Sequence, residues 1–331
     1  MERFALAAAV VLGFALTAAL CSLFVPLRRV LERREQNQQP VQSEQPRPAP
    51  LRAPLWGGLC AAAGTVAAVG VGWLAACVGQ PELLGSEGRL MTRLLTALAG
   101  SLAFGAVGLA EDLARMRSPA ALGLRRDVRL LLEALAAAFV LLLLQAAGCL
   151  PRGLDVPGAG YVLLGSAVPF LWAVLMVALA ECARIAERDE GTVCGAAFVA
   201  MLALMMAEAG LGVPGLAVLP AALAGALVAL LLWAFPPARL GVGCCGSLLA
   251  AGAIGCIPLS LDMTSLTVPL ALPFWAAGSL WAAQLLGAKR TGKPLRCWVK
   301  KHKMSPETVF LCSFALSAVG YVLALALLRW C

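Results

Sequence analysis

Ten runs of mainly apolar residues, separated by short polar or Gly/Pro-rich connections, divide the chain at roughly 4–27, 55–78, 91–110, 130–150, 160–180, 192–210, 215–235, 247–258, 265–287 and 309–329. Crossing the hydrocarbon of a bilayer takes about 20 apolar residues in a helix. All runs but the eighth approach that length; 247–258 is short and Gly-rich. Backbone polar groups in lipid must be satisfied within the segment, so each run is predicted to be a helix. The alternation that barrel strands need is absent. The pattern predicts an all-α integral membrane protein of about ten transmembrane helices, forming a single polytopic domain over 1–331.

Composition agrees. The chain is 61% hydrophobic and 13% charged, with mean hydropathy +0.87, whereas a soluble domain is about 45–50% apolar and about 25% charged. The first run leads directly into Arg28 and Arg29 and is read as a span rather than a leader. Loops 28–54, 111–129, 181–191, 236–246 and 288–308 hold all 26 basic residues except Arg3, Arg89, Arg93, Arg152 and Arg329. The positive-inside tendency therefore makes these loops cytoplasmic and both termini external. The net charge of +8 is concentrated on one face, which suits anionic headgroups or a phosphorylated ligand. Nucleic acid is excluded as a partner because no basic domain exists to hold it. Loop 28–54, rich in Gln, Pro and Arg, is predicted to be a flexible cytoplasmic linker.

Candidate chemistry lies in the other cytoplasmic loops. Glu111 and Asp112 end the third run, and Arg115, Arg117, Arg125, Arg126 and Arg129 follow. Paired acids at a membrane surface facing basic side chains fit a metal-bound phosphate. The same stretch also reads as a solvated loop whose arginines set orientation. In ECARIAERDEG (181–191), Glu187 and Glu190 are three apart and share a face if helical, with Arg184 nearby; an ordinary ion-paired loop has the same composition. In PPARLGVGCCG (236–246), glycines permit close backbone approach to a phosphate or simply a tight turn. The last loop is a basic patch with Trp298, suited to anionic lipid. Twelve cysteines show no CxxC or zinc spacing; Cys182, Cys244, Cys245 and Cys297, in or near cytoplasmic loops, are expected to be reduced, and His302, the single histidine, cannot build a multi-His metal site. Glu208 is the one ionisable residue read near mid-span, and no inverted repeat favours a transporter.

The order of these segments resembles one family over nearly the whole chain. APLWGGL at 53–59 is similar to TPTMGGL, and GLAEDLARMRSPAALGLRRDVR at 108–129 to GFxDDxxKxxxxxxxGLxxRxK. VPGAGYVLLG at 156–165 resembles an external hairpin before the fifth helix, and ECARIAERDEGTVCG at 181–195 falls on NxxNLTDGLDGLxxG. WAFPPARLGVGCCGSLLAAG at 233–252 falls on FNFPPARVFMGDTGSLxxG, with PPAR and GSL intact. The motifs are those of the polyprenyl-phosphate N-acetylhexosamine-1-phosphate transferase family, most closely its phospho-N-acetylmuramoyl-pentapeptide transferase (MraY-like) branch. The resemblance implies a multi-pass protein of a bacterial-type plasma membrane. It implies Mg2+ as cofactor, polyprenyl phosphate and membrane lipid as partners, and a UDP-linked amino sugar as second substrate. A homodimer, or contact with cell-wall synthesis proteins, is a further expected partnership.

Carried over residue by residue, the resemblance makes Asp112, Glu111 and Glu187 the catalytic candidates and Glu187, Glu190 and Cys244 the metal positions. Arg115, Arg129, Arg184, Gly243, Gly246, Ser247 and His302 fall at substrate-binding positions. Several positions depart from the pattern. Glu111 stands for the first Asp of the pair, and Glu187 and Glu190 for the aspartates of NLTDGLDG. Arg184 and Ala234 stand for asparagines, Cys244 for the Asp of FMGD, and only His302 remains of a three-His loop. Magnesium tolerates little geometric error, and a thiol is a soft donor, mostly protonated at neutral pH. The expectation is a divergent member of cell-wall or lipid-linked glycan precursor synthesis, with impaired or lost catalysis and a lipid- or partner-binding role. The alternatives are an active Mg-dependent transferase with a rearranged site and an unrelated transporter.

Overall fold

Each apolar run contains a helix, because no other backbone conformation closes its own hydrogen bonds within one segment. The computed structural model describes residues 2–38, 56–79, 88–117, 123–151, 153–156, 160–163, 165, 167–187, 191–213, 215–235, 238–287 and 305–329. Among them are ten helices of at least 16 residues. These are α1 (Glu2–Gln38), α2 (Gly57–Gly79), α3 (Gly88–Arg117), α4 (Arg126–Ala146) and α5 (Ala167–Ala186). They continue with α6 (Thr192–Gly210), α7 (Val218–Ala234), α8 (Gly243–Ser260), α9 (Leu272–Gly287) and α10 (Pro306–Leu328). Seven are long and apolar enough to cross a membrane. A small antiparallel hairpin, β1 (Gly153–Val156) and β2 (Gly160–Leu163), precedes α5, with Gly153 opposite Leu163. The protein is an all-α integral membrane protein apart from this hairpin.

Helix α8 is the centre. All of its residues are buried, as expected for a helix apolar on every side. Its composition of Gly, Ala, Cys and Ser brings neighbouring backbones close, the usual device where lipid supplies no hydrophobic drive between helices. α3 makes the most extensive packing against it, and α2, α5 and α6 complete the shell. Gly108 of α3 lies so close to the Cys244 carbonyl that a Cβ would strike it. α1 packs on α7 and α2.

Several boundaries differ from the sequence reading. Residues 160–163 at the head of the fifth run pair as β2, and α5 runs from Ala167 to Ala186, so Glu181 and Arg184 sit on a helix instead of in loop 181–191. α1 continues to Gln38, through the first part of the expected linker 28–54, since Arg, Leu, Glu and Gln are strong helix formers; 39–55 lie outside the described residues. α3 extends to Arg117, so Glu111, Asp112 and Arg115 sit on a helix instead of a loop. α8 starts at Gly243 rather than 247. The run 265–287 is broken: a 3-10 turn (264–266) and one helical turn (267–270) precede α9. Pro273 has no amide hydrogen and its ring crowds the carbonyl four residues back, which favours the break at this point.

Orientation is testable. An impermeant thiol reagent applied to intact cells should label Leu211→Cys at the α6–α7 turn from outside, and Arg125→Cys before α4 only after permeabilisation. The reverse pattern would invert the topology.

Candidate functional site

The charged and Gly-rich motifs meet where α3 and α5 end and α2, α4 and α8 begin. The first two amides of α2 donate to the loop before α8: Gly57 N to Gly241 O at 3.2 Å and Gly58 N to Val242 O at 2.9 Å. A Cβ on Gly58 would collide with the backbone of Gly246, so the GG of APLWGG locks this end of α2 onto α8. Gly243 opens α8 with φ of +73°, in the left-handed region that favours glycine.

The first turn of a helix leaves its amide hydrogens without partners. α8 has no capping side chain of its own. Asp112 of α3 supplies the missing acceptor from 132 residues away: Cys244 N donates to Oδ1 at 3.0 Å and Cys245 N to Oδ2 at 2.9 Å. Asp112 is 1% exposed. Its negative charge faces the positive end of the α8 dipole, where a carboxylate is stabilised.

Around this cap runs a buried ion-pair chain. Arg115 Nη2 donates to Glu111 Oε1 at 2.6 Å, and its Nη1 lies 3.9 Å from Asp112 Oδ1. Arg129 Nη1 lies 3.6 Å from Glu111 Oε1, while its Nε donates to Glu181 Oε1 at 2.8 Å. Arg184 closes the chain on Glu181 Oε2 at 2.5 Å and 3.2 Å. Three helices, α3, α4 and α5, are thus tied through Arg129. Glu133, one turn beyond Arg129 on α4 and fully buried, stands 3.9 Å from Arg129 Nε, with neither carboxyl oxygen hydrogen-bonded. Glu111 Oε2 is likewise buried without a hydrogen bond.

Glu187 follows α5 in a turn, its amide bonded to Ala183 O at 2.9 Å. Burial pushes its carboxyl up to about 7; Arg115 pulls it down, and Asp112 and Glu111 push it further up. Cys244 is fully buried at the start of α8, with Glu187, Arg115, Asp112 and Glu111 as its charged neighbours. The structure therefore brings together Glu111, Asp112, Arg115, Arg129, Arg184, Glu187 and Cys244. Gly246 and Ser247 are packed inside: Gly246 against Gly58, and Ser247 donating to Cys244 O at 3.1 Å. Glu190 and His302 lie outside the described residues.

Two members of the cluster were not singled out from sequence. Glu181 was named only as part of a charged loop, although it is the shared partner of two arginines. Glu133 was missed. A single Glu in LLLEALAAAF, four residues after Arg129, is the signal that finds it. Like Glu208, it is almost completely buried.

The fit of a magnesium ion follows from the donors. Magnesium takes near-octahedral oxygen ligands at about 2.0–2.1 Å. Both Asp112 oxygens already accept amide hydrogens, Glu111 Oε1 accepts Arg115, and Cys244 offers a thiol. Among the described residues no three His, Cys, Asp or Glu side chains are placed to share a metal ion. In this arrangement they do not fit magnesium.

A sequence model of Glycosyl transferase family 4 matches residues 94–262, from within α3 to just past α8, which contain every side chain of the cluster. The phospho-N-acetylmuramoyl-pentapeptide-transferase of Mycobacterium tuberculosis (strain ATCC 25618 / H37Rv) is 28% identical over 265 residues, covering 72% of each chain. The protein of that name from Desulforudis audaxviator is 32% identical over 170 residues, covering 48% of this chain and 50% of the other. That of Synechococcus sp. (strain RCC307) is 28% identical over 216 residues, covering 63% and 55%.

Two measurements follow from this geometry. Asp112→Asn replaces one acceptor with an NH2 that faces an amide hydrogen, and should lower stability by about 1–3 kcal/mol in denaturant or thermal unfolding; unchanged stability would remove the capping role. For Glu187, a carboxyl raised from 4.5 to about 7 contributes stability that is complete below about 4.5 and lost as pH rises through about 7. The unfolding midpoint of the unmodified protein should therefore fall more between those two pH values than that of Glu187→Gln. Parallel pH profiles would show that Glu187 is not held in this environment.

Proposed function

The chain belongs to glycosyl transferase family 4, and on that premise we propose that it is a divergent MraY-like membrane protein of sugar-1-phosphate:polyprenyl-phosphate transfer whose catalysis is impaired or lost. Its remaining role is to bind a polyprenyl phosphate or a protein partner at the cytoplasmic face of a bacterial-type plasma membrane. Cell-wall or lipid-linked glycan precursor synthesis is the setting that its similarity to phospho-N-acetylmuramoyl-pentapeptide-transferases supports.

One observation carries the reading: the acidic pair is already engaged. Asp112 caps α8 with both oxygens, and Glu111 accepts Arg115. A carboxylate committed to two helix amides is a weak candidate for a base, and the thiol of Cys244 is no substitute for a hard oxygen donor. Phosphoryl transfer depends on positioning and on neutralising charge that develops in the transition state. Loss of several kcal/mol of that stabilisation removes about three decades of rate or more.

Retained activity is the second reading. It is favoured by the gathering of Asp112, Glu111 and Glu187 around Cys244.

An assay separates the two. Purified protein with magnesium, polyprenyl phosphate and UDP-N-acetylmuramoyl-pentapeptide should form little or no lipid-linked product. The combined change Cys244→Asp, Glu111→Asp and Glu187→Asp should raise magnesium affinity first and turnover less, because Arg184 and Ala234 still stand where the resemblance has asparagines. Robust turnover by the unmodified protein would overturn the impaired-enzyme reading.

A further inference from the structure

The site holds a charge arrangement that the family resemblance does not describe. Five acids, Glu111, Asp112, Glu133, Glu181 and Glu187, share the region with three arginines, Arg115, Arg129 and Arg184. Buried carboxylates persist only when something offsets their desolvation. Here each guanidinium does so for one to three acids, and Arg129 approaches Glu111, Glu133 and Glu181.

We propose that Arg115, Arg129 and Arg184 take the electrostatic place of a divalent cation, so that this site is organised without metal and does not respond to magnesium. The proposal rests on the family reading only in identifying where a cation is otherwise expected.

Geometry separates the two kinds of positive charge. A magnesium ion draws oxygens to a point at about 2.0–2.1 Å. A guanidinium is a plane with five donors, and its carboxylates stand apart around its rim. Glu111 Oε1 takes Arg115 at 2.6 Å and lies 3.6 Å from Arg129. Glu181 turns one oxygen to Arg129 and the other to Arg184. The acids are distributed along a chain and do not converge, and among the described residues no three donors meet. Asp112 has the α8 amides in addition. Glu111 and Asp112, the acidic pair a metal would recruit, are already turned toward other positive groups.

Arg115 is the removable element. Its side chain is 21% exposed, against 9% for Arg129 and 11% for Arg184, and it reaches both Glu111 and Asp112. Taking away its charge leaves those two acids and Glu187 with one cation fewer, which is the condition under which a divalent ion becomes favourable.

The test uses the full chain purified in detergent. Thermal unfolding is followed by tryptophan fluorescence in EDTA and in millimolar Mg2+ or Mn2+ at matched ionic strength, and Mn2+ binding is read by electron paramagnetic resonance. The unmodified protein should unfold at the same temperature in all three media and leave Mn2+ free. Arg115→Gln should unfold earlier in EDTA, bind Mn2+, and gain roughly 2–4 °C from the divalent ion. Arg115→Lys keeps the charge and should behave as the unmodified protein. Mn2+ binding or magnesium stabilisation of the unmodified protein overturns the proposal, as does an Arg115→Gln variant that ignores divalent ions. If Arg115→Gln does not fold, Mn2+ binding by the unmodified protein still decides. These readouts are independent of turnover, so metal binding without product would sink this proposal while leaving the impaired-enzyme reading in place.

Discussion

Everything at the end of the protein where the site lies depends on how the first turn of α8 is satisfied. α8 is enclosed on all sides, so its leading amides cannot be hydrated, and an unpaired buried amide costs about as much as a lost hydrogen bond. Asp112 meets two of them with one carboxylate. That bond sets the height of α3 against α8 and brings Gly108 up to the Cys244 carbonyl. It also fixes where Glu111 and Arg115 stand, one residue before and three after. The α2 amides on Gly241 and Val242 hold the loop leading into α8 from the other side. The site is therefore a by-product of how one buried helix begins.

The ion-pair chain built on this frame is stable only as a unit. Removing one partner of a buried pair leaves an uncompensated charge and typically costs about 3–5 kcal/mol, whereas a complete pair is close to neutral against apolar packing. Arg129 is the member whose loss leaves most behind, because Glu111, Glu133 and Glu181 all approach it. It joins three successive helices, so the chain of charges specifies the relative placement of α3, α4 and α5 as well as their local charge balance. Glu133 has no hydrogen bond to either oxygen and sits at the inner end of this chain, where a small change in Arg129 is felt most.

The helices were legible from apolar run length, because lipid leaves the backbone no alternative. The boundaries were less so. Charged residues at the end of α3 look like a loop in one dimension, yet Glu111 and Arg115 are one turn apart and pair across it. α8 looked short because its small polar and thiol residues dilute hydrophobicity, and what starts it at Gly243 is a carboxylate from a distant helix that no local pattern reveals. The gathering of loops 108–129, 181–191 and 236–246 was suggested by motif order. The trans-cap, the bridging role of Glu181 and the burial of Glu133 depend on which helix faces which, and only three-dimensional packing supplies that.

The two acids of the pair answer to different demands. Asp112 must place both oxygens on adjacent amides of another helix; a short, stiff carboxylate does this, and an added methylene would drive the oxygens into the α8 backbone. At 111 the demand is for a counter-ion that reaches Arg115 one turn along and Arg129 across the helix interface, and the longer Glu suits that reach. An Asp at one position and a Glu at the other thus follows from packing and charge alone. A family's catalytic letter found at Asp112 consequently does not by itself argue for catalysis, because the helix start would require it even in a protein that transfers nothing. Function has to be argued from groups left free to act, and among the described acids of this site Glu187, half-buried and titrating near 7, is the one with the fewest structural commitments.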